Sequence, residues 1–195
     1  MREANQRVTG RLPFAINHSL PGLLHARVLR STSAHARIRR LDVSAAEALP
    51  GVAGVLCGGD LDDPRIRAHY GPVLPDRPVV AKDKVRYAGE PVAVVIADEE
   101  ERAAEAIRHI EVEYDDLPAA FDPESAIRPE AEALHEHLDR RDFLTFPDLV
   151  LNTDAGKNIF NHFKLRRGDV EHGFDEADEV FEVLVPLPLS PLVRL

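Results

Sequence analysis

The stretch "KVRYAGEPVAVVIA", residues 84–97, places a single carboxylate, Glu90, between a glycine and a proline. A carboxylate can act as a general acid or base, but only with a cleft, a perturbed pKa and a partner that orients the substrate. The neighbouring residues indicate a turn instead, because Gly89 permits a backbone geometry that other residues avoid and Pro91 suits the first residue of a strand. We interpret Glu90 as a turn residue. The alternative is a polar contact to a partner or to a buried backbone amide.

Three residues beside this turn, Lys84, Arg86 and Tyr87, could form an anion site. The sequence contains neither "GxGxxG" nor "GxxxxGK", so the glycine-rich loops that cradle phosphates are absent and nucleotide binding is disfavoured. It also lacks the "GxSxG" elbow of many serine hydrolases. Spacing alone therefore indicates no active site.

Two histidines, His135 and His137 in "LHEHL", would share one face of a strand and could form half of a metal site. A mononuclear site needs at least one more ligand, and the remaining histidines are too distant in sequence for a spacing argument. We therefore interpret the pair as surface histidines on a loop.

The tripeptide Arg167-Gly168-Asp169 matches the one known from cell-adhesion ligands. The N-terminus lacks the apolar core of a secretory signal, which disfavours an extracellular role. The sequence context predicts that Gly168 ends a strand and that Asp169 caps a short helix.

Composition limits the classes of protein to which the chain can belong. Its 195 residues favour one domain with a substantial core, and 44% hydrophobic with 30% charged residues is typical of a globular protein. A net charge of −10 argues against a nucleic-acid surface. No apolar run has transmembrane length, so we expect no membrane span and a cytoplasmic location. Cys57 is the only cysteine, which excludes an intrachain disulfide and a cysteine-held iron–sulfur cluster within these residues.

The periodicity of the sequence predicts alternating strands and helices. Strands are expected at residues 24–29, 38–43, 52–57, 91–97, 110–115, 159–165 and 180–185. Helices are expected at 45–49 behind a capping box of Ser44 and Glu47, after a second capping box of Asp98 and Glu101, in one turn at 122–127, and after Asp169. The order strand, helix, strand around residues 91–115 is compatible with a right-handed parallel unit. The fold class predicted is α/β (α+β), a mixed sheet with packed helices.

Four blocks of sequence, taken together, resemble a known family. They are "RVTGR", "LPGLLHARVLRSTSAHARIRRLDVSAAEALPGVAGVLCGGDL", "KVRYAGEPVAVVIADEEERAAEAIRHIEVEYDDLPAAFDPESAI" and "LRRGDVEHGFDEADEVFE". In this order they resemble the N-terminal α/β hammerhead domain of the large subunit of molybdenum hydroxylases, the family of xanthine dehydrogenase, aldehyde oxidase and carbon monoxide dehydrogenase. The resemblance implies a hammerhead domain over residues 7–185, with loops at 60–79 and 139–158, and an irregular tail at 186–195.

The resemblance implies a hammerhead subunit or truncated fragment of a molybdopterin-dependent oxidoreductase, structural and interface-forming, that is inactive alone. In such enzymes the molybdopterin and the catalytic glutamate lie in the longer region after the hammerhead, so no cofactor-binding, metal or catalytic residue is expected in this chain. Molybdopterin, iron–sulfur clusters and FAD are expected only in the complete complex. The expected partners are a molybdopterin-binding domain or subunit and iron–sulfur and FAD subunits. Arg86 and Glu90 are the predicted contacts at the domain interface.

Other functional hypotheses remain open at this point. The chain could be an autonomous binding or scaffold protein that reuses the hammerhead fold without redox chemistry. An independent hydrolase or metal enzyme is disfavoured because no constellation of residues supports it. The substrate is not inferred, since the pocket that selects it is not expected in these residues.

Overall fold

The computed structural model describes residues 3–14, 19–71, 75–136, 158–159 and 167–183. The chain divides into two compact units, residues 1–161 and 162–195. The predicted tail at 186–195 and most of the predicted loop at 139–158 lie outside the described residues.

The first unit contains eight strands and four short α-helices among its described residues. The strands are β1 His25–Arg30, β2 Ala36–Asp42, β3 Val52–Cys57, β4 His69–Tyr70, β5 Arg77–Pro78, β6 Lys84–Val85, β7 Pro91–Ala97 and β8 Glu111–Asp116. The helices are α1 Ala4–Val8, α2 Ser44–Glu47, α3 Glu100–Ile107 and α4 Pro123–Ala126, with a 3-10 helix at Gly58–Leu61.

The strands form two three-stranded sheets and one small hairpin. Strand β7 is the middle of the first sheet, between β1 and β3, and β2 is the middle of the second, between β6 and β8. Register pairs are Val28 with Val94, Val55 with Val95, and Leu41 with Val112. Every pairing among the described residues is antiparallel.

The parallel unit expected around residues 91–115 is wrong, although the α/β class is confirmed. Strands β7 and β8 flank helix α3 in sequence but belong to different sheets. The helix therefore carries the chain from one sheet to the other instead of returning it to a neighbouring position in the same sheet.

Strand β7 is covered on both faces, as its unbroken apolar sequence predicts. Val95 and Ala97 pack with helix alanines such as Ala103, and small helix residues allow this close approach. Val92, on the opposite face, packs with a second cluster that includes Val85. The core of the unit is therefore two apolar layers that share one strand.

The two predicted capping boxes do not form, although both helices are present. The Ser44 hydroxyl donates to Asp42 at 2.6 Å, so it is not available to the helix backbone. Helix α3 begins at Glu100 after the extended residue Glu99, and the Asp98 carboxylate pairs with Arg102 at 2.6 Å. Carboxylates in the first turn still favour the positive end of α3.

The predicted loop at residues 60–79 contains regular structure. A 3-10 helix occupies its start, and β4 and β5 pair as a two-residue hairpin with His69 opposite Pro78 and Tyr70 opposite Arg77. Strands this short carry no detectable alternation, which is why the sequence pattern does not predict them.

The described part of the second unit is one helix and its flanks. Helix α5, Val170–Asp175, is followed by residues 180–183 in no strand, so the strand predicted at 180–185 is absent over its described part. In the described part of the chain no helix has the length and apolar character needed to cross a membrane.

Candidate functional site

Residues Tyr87 to Glu90 form a tight turn between β6 and β7. The Glu90 amide donates to the Tyr87 carbonyl at 3.2 Å, and Gly89 has a φ of +94°. A turn with positive φ at its third residue favours glycine there. Reciprocal backbone hydrogen bonds of 2.8 Å join Ser31 to Gly89 and to Glu90 and hold the turn against the end of β1. The turn interpretation of Glu90 is therefore confirmed.

The Glu90 side chain is buried inside this turn, with only 1% of its surface exposed. Its carboxylate accepts a hydrogen bond from the backbone amide of Arg86 and lies 3.4 Å from the Arg86 guanidinium. Burial raises the pKa of Glu90, while the hydrogen bond from the Arg86 amide and the Arg86 charge act to lower it. The carboxylate therefore stabilises the backbone of its own chain. The contact to a buried backbone amide, predicted as an alternative role for Glu90, is thus present together with the turn.

Arg86 connects the turn to a distant segment of the chain. Its guanidinium donates to the carbonyls of Lys84 and Leu134, each at 3.1 Å, in addition to its pair with Glu90. About a fifth of the side chain, 22%, remains exposed. Arg86 thus joins the start of β7 to residues 132–136 and keeps one face accessible to solvent.

Lys84 is a second basic residue that holds the same segment. Its side chain is 4% exposed, and its ammonium donates to the Ala133 carbonyl at 2.9 Å and to Glu136 at 3.1 Å. A buried ammonium requires such partners, because desolvation without them is costly. Lys84 and Arg86 therefore bind one stretch of chain and do not converge on an open anion site.

Asn158 completes the attachment of this stretch from the other side. Its side-chain oxygen accepts from the Leu134 amide at 2.8 Å, and its NH2 group donates to the carbonyls of Ala126 and Glu132, each at 2.9 Å. Its φ of +59° is the left-handed conformation that asparagine tolerates better than most residues. The segment 132–136 has no regular secondary structure, so these side chains position it.

His135 lies in this segment, close to Arg86 and Asp76. Burial, and secondly the Arg86 charge, lower the pKa of His135 to about 4, against the opposing effect of Asp76 at 4.0 Å. The pKa of His69 is lowered in the same way, first by burial and then by Arg86. These imidazoles are therefore neutral near pH 7. His135 is on a loop, as predicted, but its side chain is only 25% exposed, so the prediction of a surface histidine is wrong for it. His137 lies outside the described residues, so the same prediction for His137 is untested.

The Arg-Gly-Asp tripeptide has the structural role predicted for its last residue. The Asp169 carboxylate accepts from the His172 amide at 3.1 Å and caps helix α5. Gly168 has a φ of +77°, which permits the bend into the helix. The strand predicted before it lies almost wholly outside the described residues.

A cavity that the sequence pattern does not indicate lies beside His35, at the end of β2. It measures about 430 Å³ and is lined by Thr32, Ser33, Ala34, His35, Tyr114, Asp116, Leu117 and Ala119. The His35 Nδ1 lies 2.7 Å from the Pro118 carbonyl, and the Leu117 amide donates to the His35 carbonyl at 2.8 Å. The Nε2 atom of His35 has no hydrogen-bond partner among the described residues. A histidine flanked by small residues carries no sequence signal for this burial.

The described residues do not fit a metal or an iron–sulfur cluster. Within them, no group of three or more histidine, cysteine, aspartate or glutamate side chains could hold a metal ion. Cys57, the only cysteine of the sequence, is partly buried, and burial raises the pKa of its thiol. A thiol held in its protonated form is a poor metal ligand.

The family model described as "Aldehyde oxidase and xanthine dehydrogenase, a/b hammerhead domain" matches residues 9–118, which include all eight strands and the Tyr87–Glu90 turn.

Relatives of known name match most of the chain. A probable xanthine dehydrogenase subunit of Bacillus subtilis (strain 168) is 37% identical over 182 residues, which cover 93% of this chain and 22% of the relative. The "Carbon monoxide dehydrogenase large chain" of Afipia carboxidovorans is 42% identical over 155 residues, covering 78% and 18% respectively. The chain thus spans about a fifth of the length of these relatives.

Solved structures resemble the fold of the chain. The crystal structure of a Cu,Mo-CO dehydrogenase in its carbon monoxide reduced state matches with a TM-score of 0.64 at 39% identity, over 69% of this chain and 17% of that one. Quinoline 2-oxidoreductase from Pseudomonas putida 86 matches with a TM-score of 0.59 at 39% identity, over 67% and 17%.

Proposed function

The chain belongs to the hammerhead domain family of aldehyde oxidases and xanthine dehydrogenases, and we propose that it serves as the hammerhead module of a molybdenum-dependent oxidoreductase. The observation that carries this proposal is the match over residues 9–118, because it spans both three-stranded sheets and the turn that contains the buried Glu90. The proposed domain extends over residues 7–185.

The names of the relatives support a redox enzyme as the complete assembly. One relative is the "Nicotinate dehydrogenase large molybdopterin subunit" of Eubacterium barkeri, which is 33% identical over 91% of this chain. We infer that the complete complex contains molybdopterin, iron–sulfur clusters and FAD, bound by a molybdopterin-binding domain or subunit and by iron–sulfur and FAD subunits. A cytoplasmic location is part of the same proposal.

In this proposal the role of the described residues is structural. Among them no group of three or more His, Cys, Asp or Glu side chains could hold a metal ion. We propose that the chemistry of hydroxylation belongs to the remainder of the enzyme. In the proposed enzyme this module positions surfaces against which the cofactor-binding part packs.

Arg86 and Glu90, the predicted interface contacts, have different roles in that packing. Glu90 is buried, so its carboxylate supports the turn from within, while the exposed fraction of Arg86 is available to a partner. We propose that Arg86 makes the polar contact and that Glu90 fixes the orientation of its guanidinium. Interface contacts of arginine are typically bidentate and depend on such orientation.

The proposal is tested by purification of the affinity-tagged chain from its native host. The expected result is a complex that contains molybdenum by mass spectrometry of metals, together with a molybdopterin-binding polypeptide identified by peptide mass spectrometry. A metal-free monomer with no such polypeptide would overturn the proposal and favour an autonomous binding protein.

A further inference from the structure

Two tyrosines of the first unit are exposed to solvent. Tyr70 in strand β4 and Tyr87 in the turn before β7 have exposed fractions of 48% and 47%. Aromatic side chains of this size are usually more buried, and exposed tyrosines are enriched at protein interfaces. Packing in the core of the unit therefore does not explain the position of these two rings.

Two arginines lie beside the tyrosines. Arg77 is the cross-strand partner of Tyr70 in the β4–β5 hairpin. The Arg30 guanidinium donates to the Gly89 carbonyl at 2.9 Å, in the same turn as Tyr87. We call Arg30, Tyr70, Arg77 and Tyr87 the tyrosine–arginine surface.

Tyr70, Arg77 and Arg30 all affect the pKa of Tyr87, which links the two pairs. Burial and the nearby Glu90 and Tyr70 raise the pKa of Tyr87. Arg77 and Arg30 act in the opposite direction, so both guanidinium groups lie close enough to affect the phenol.

Among the described residues, no carboxylate pairs with the guanidinium groups of this surface. Some other exposed arginines, such as Arg27 and Arg39, pair with carboxylates at 2.5–2.9 Å, whereas Arg37 pairs with none among the described residues. Among the described residues neither Arg30 nor Arg77 has a carboxylate within ion-pair distance, although the chain carries a net charge of −10. A guanidinium presents a planar fork of donors that matches a carboxylate.

We propose that the tyrosine–arginine surface docks an acidic protein surface, one that presents Asp or Glu carboxylates to Arg30 and Arg77 and packs against the two phenol rings. This inference rests on the proposed function, and the docked surface belongs to the molybdopterin-binding part of the enzyme. The chain spans about a fifth of its relatives, so most of the protein that surrounds a hammerhead module lies outside this sequence.

The composition of the surface agrees with this kind of partner. Tyrosine and arginine are the residue types that carry most binding energy at protein interfaces. A nucleic acid is a less suitable partner, because two guanidinium groups on a chain of net charge −10 supply little counterion release.

The experiment replaces Tyr87 by the photocrosslinking residue benzoylphenylalanine in the full chain, expressed in its native host. The matched control carries the same residue at Phe121, which is 86% exposed and lies outside the tyrosine–arginine surface. The expected result is a crosslink from position 87, absent from position 121, to a peptide of the molybdopterin-binding polypeptide that contains Asp or Glu.

A charge-reversal series tests the electrostatic part of the same inference. Arg30→Glu and Arg77→Glu should each reduce the yield of the molybdenum-containing complex by about tenfold or more, because like charges then face each other. Arg11→Glu makes the same change of charge outside this surface and should leave the yield unchanged. Thermal unfolding of each isolated variant controls for loss of fold.

The outcomes separate this inference from the proposed function. Two results would overturn the docking surface and leave the proposed function intact. One is normal formation of the molybdenum-containing complex by the arginine variants. The other is that position 87 crosslinks to a second copy of the chain or to nucleic acid, or gives no crosslink. Failure of the wild-type chain to form any such complex overturns both.

Discussion

The carboxylate of Glu90 lies 3.4 Å from the guanidinium of Arg86, four residues before it in the sequence, and accepts a hydrogen bond from the backbone amide of the same arginine. One buried side chain therefore holds both the main chain and the side chain of a single residue. Because Arg86 in turn donates to the Leu134 carbonyl at 3.1 Å, any change at Glu90 is expected to reach residues 132–136.

Replacement of Glu90 by alanine should lower the free energy of unfolding by about 1–3 kcal/mol, since it leaves a buried backbone donor and part of a guanidinium without their acceptor. Glu105→Ala removes an exposed carboxylate that pairs with Arg108 at 3.2 Å and should cost less than about 1 kcal/mol. Urea unfolding of both variants measures the difference. Equal costs for the two would show that burial of Glu90 contributes little.

The Glu90→Gln variant should change how stability depends on pH. Burial raises the pKa of Glu90 above its ordinary value of 4.5, so the folded state binds a proton more tightly than the unfolded state. The stability of the wild type relative to Glu90→Gln is therefore fully present below pH 4.5 and falls as pH rises through the folded-state pKa. Urea unfolding of both proteins between about pH 4 and pH 8 checks this, and a relative stability that rises with pH contradicts the burial argument.

His135 should remain neutral down to about pH 4. Its folded-state pKa of about 4 lies below its ordinary value of 6.5, so the unfolded state binds a proton first and stability is lost as pH falls between these values. The loss attributable to His135 is at most about 3 kcal/mol. NMR titration of the imidazole in the intact chain measures the pKa of His135. The His109→Gln variant identifies the signal of one exposed histidine for comparison. A midpoint near the ordinary value of 6.5 would show that His135 is solvated.

Replacement of Gly89 by alanine tests the turn geometry without steric interference. A Cβ added at Gly89 meets no atom within 4 Å, so the expected loss of about 1 kcal/mol comes from the positive φ alone. Gly54, in strand β3, also has open space around it but lacks a positive φ. Gly54→Ala should be neutral or slightly stabilising. Thermal unfolding of both variants checks the contrast, and a neutral Gly89→Ala would contradict the turn type.

Substitution of Asn158 by glycine should release residues 132–136. Glycine keeps the left-handed backbone and removes three hydrogen bonds of 2.8–2.9 Å, at an expected cost of about 1–3 kcal/mol. Hydrogen exchange at the Leu134 amide should become faster than in the wild type. Unchanged protection of this amide would mean that Lys84 and Arg86 hold the segment without Asn158.

Much of the fold follows from local sequence pattern. Apolar alternation predicts the central strands, and the unbroken run at Pro91–Ala97 predicts a strand covered on both faces. The pairing of strands does not follow, because the helix between β7 and β8 is compatible with a parallel return as well as with a change of sheet. The choice between a parallel return and a change of sheet depends on the contacts of β7 with β1 and β3, which are far away in sequence.

The turn at Glu90 is predictable from the sequence, but the contacts of its neighbours Lys84 and Arg86 with residues 132–136 are not. The glycine and the proline beside Glu90 predict its turn, since both restrict the backbone locally. The bonds of Lys84 and Arg86 to residues 133, 134 and 136 join segments about fifty residues apart, and no spacing rule reports such contacts. The predicted capping boxes at Ser44 and Asp98 fail because nearby side chains, Asp42 and Arg102, bind the capping groups.

The antiparallel pairing of early strands with late ones sets the order in which the chain can fold during synthesis. Strand β1 pairs with β7 and strand β2 with β8, so the first two strands leave the ribosome long before their partners at residues 91–97 and 111–116. Contacts of such long range are formed slowly, because loop closure precedes any gain from pairing. Until these later strands have been made, β1 and β2 lack those partners and need protection from aggregation, for which the basic side chains Arg27, Arg30 and Arg37 are well placed.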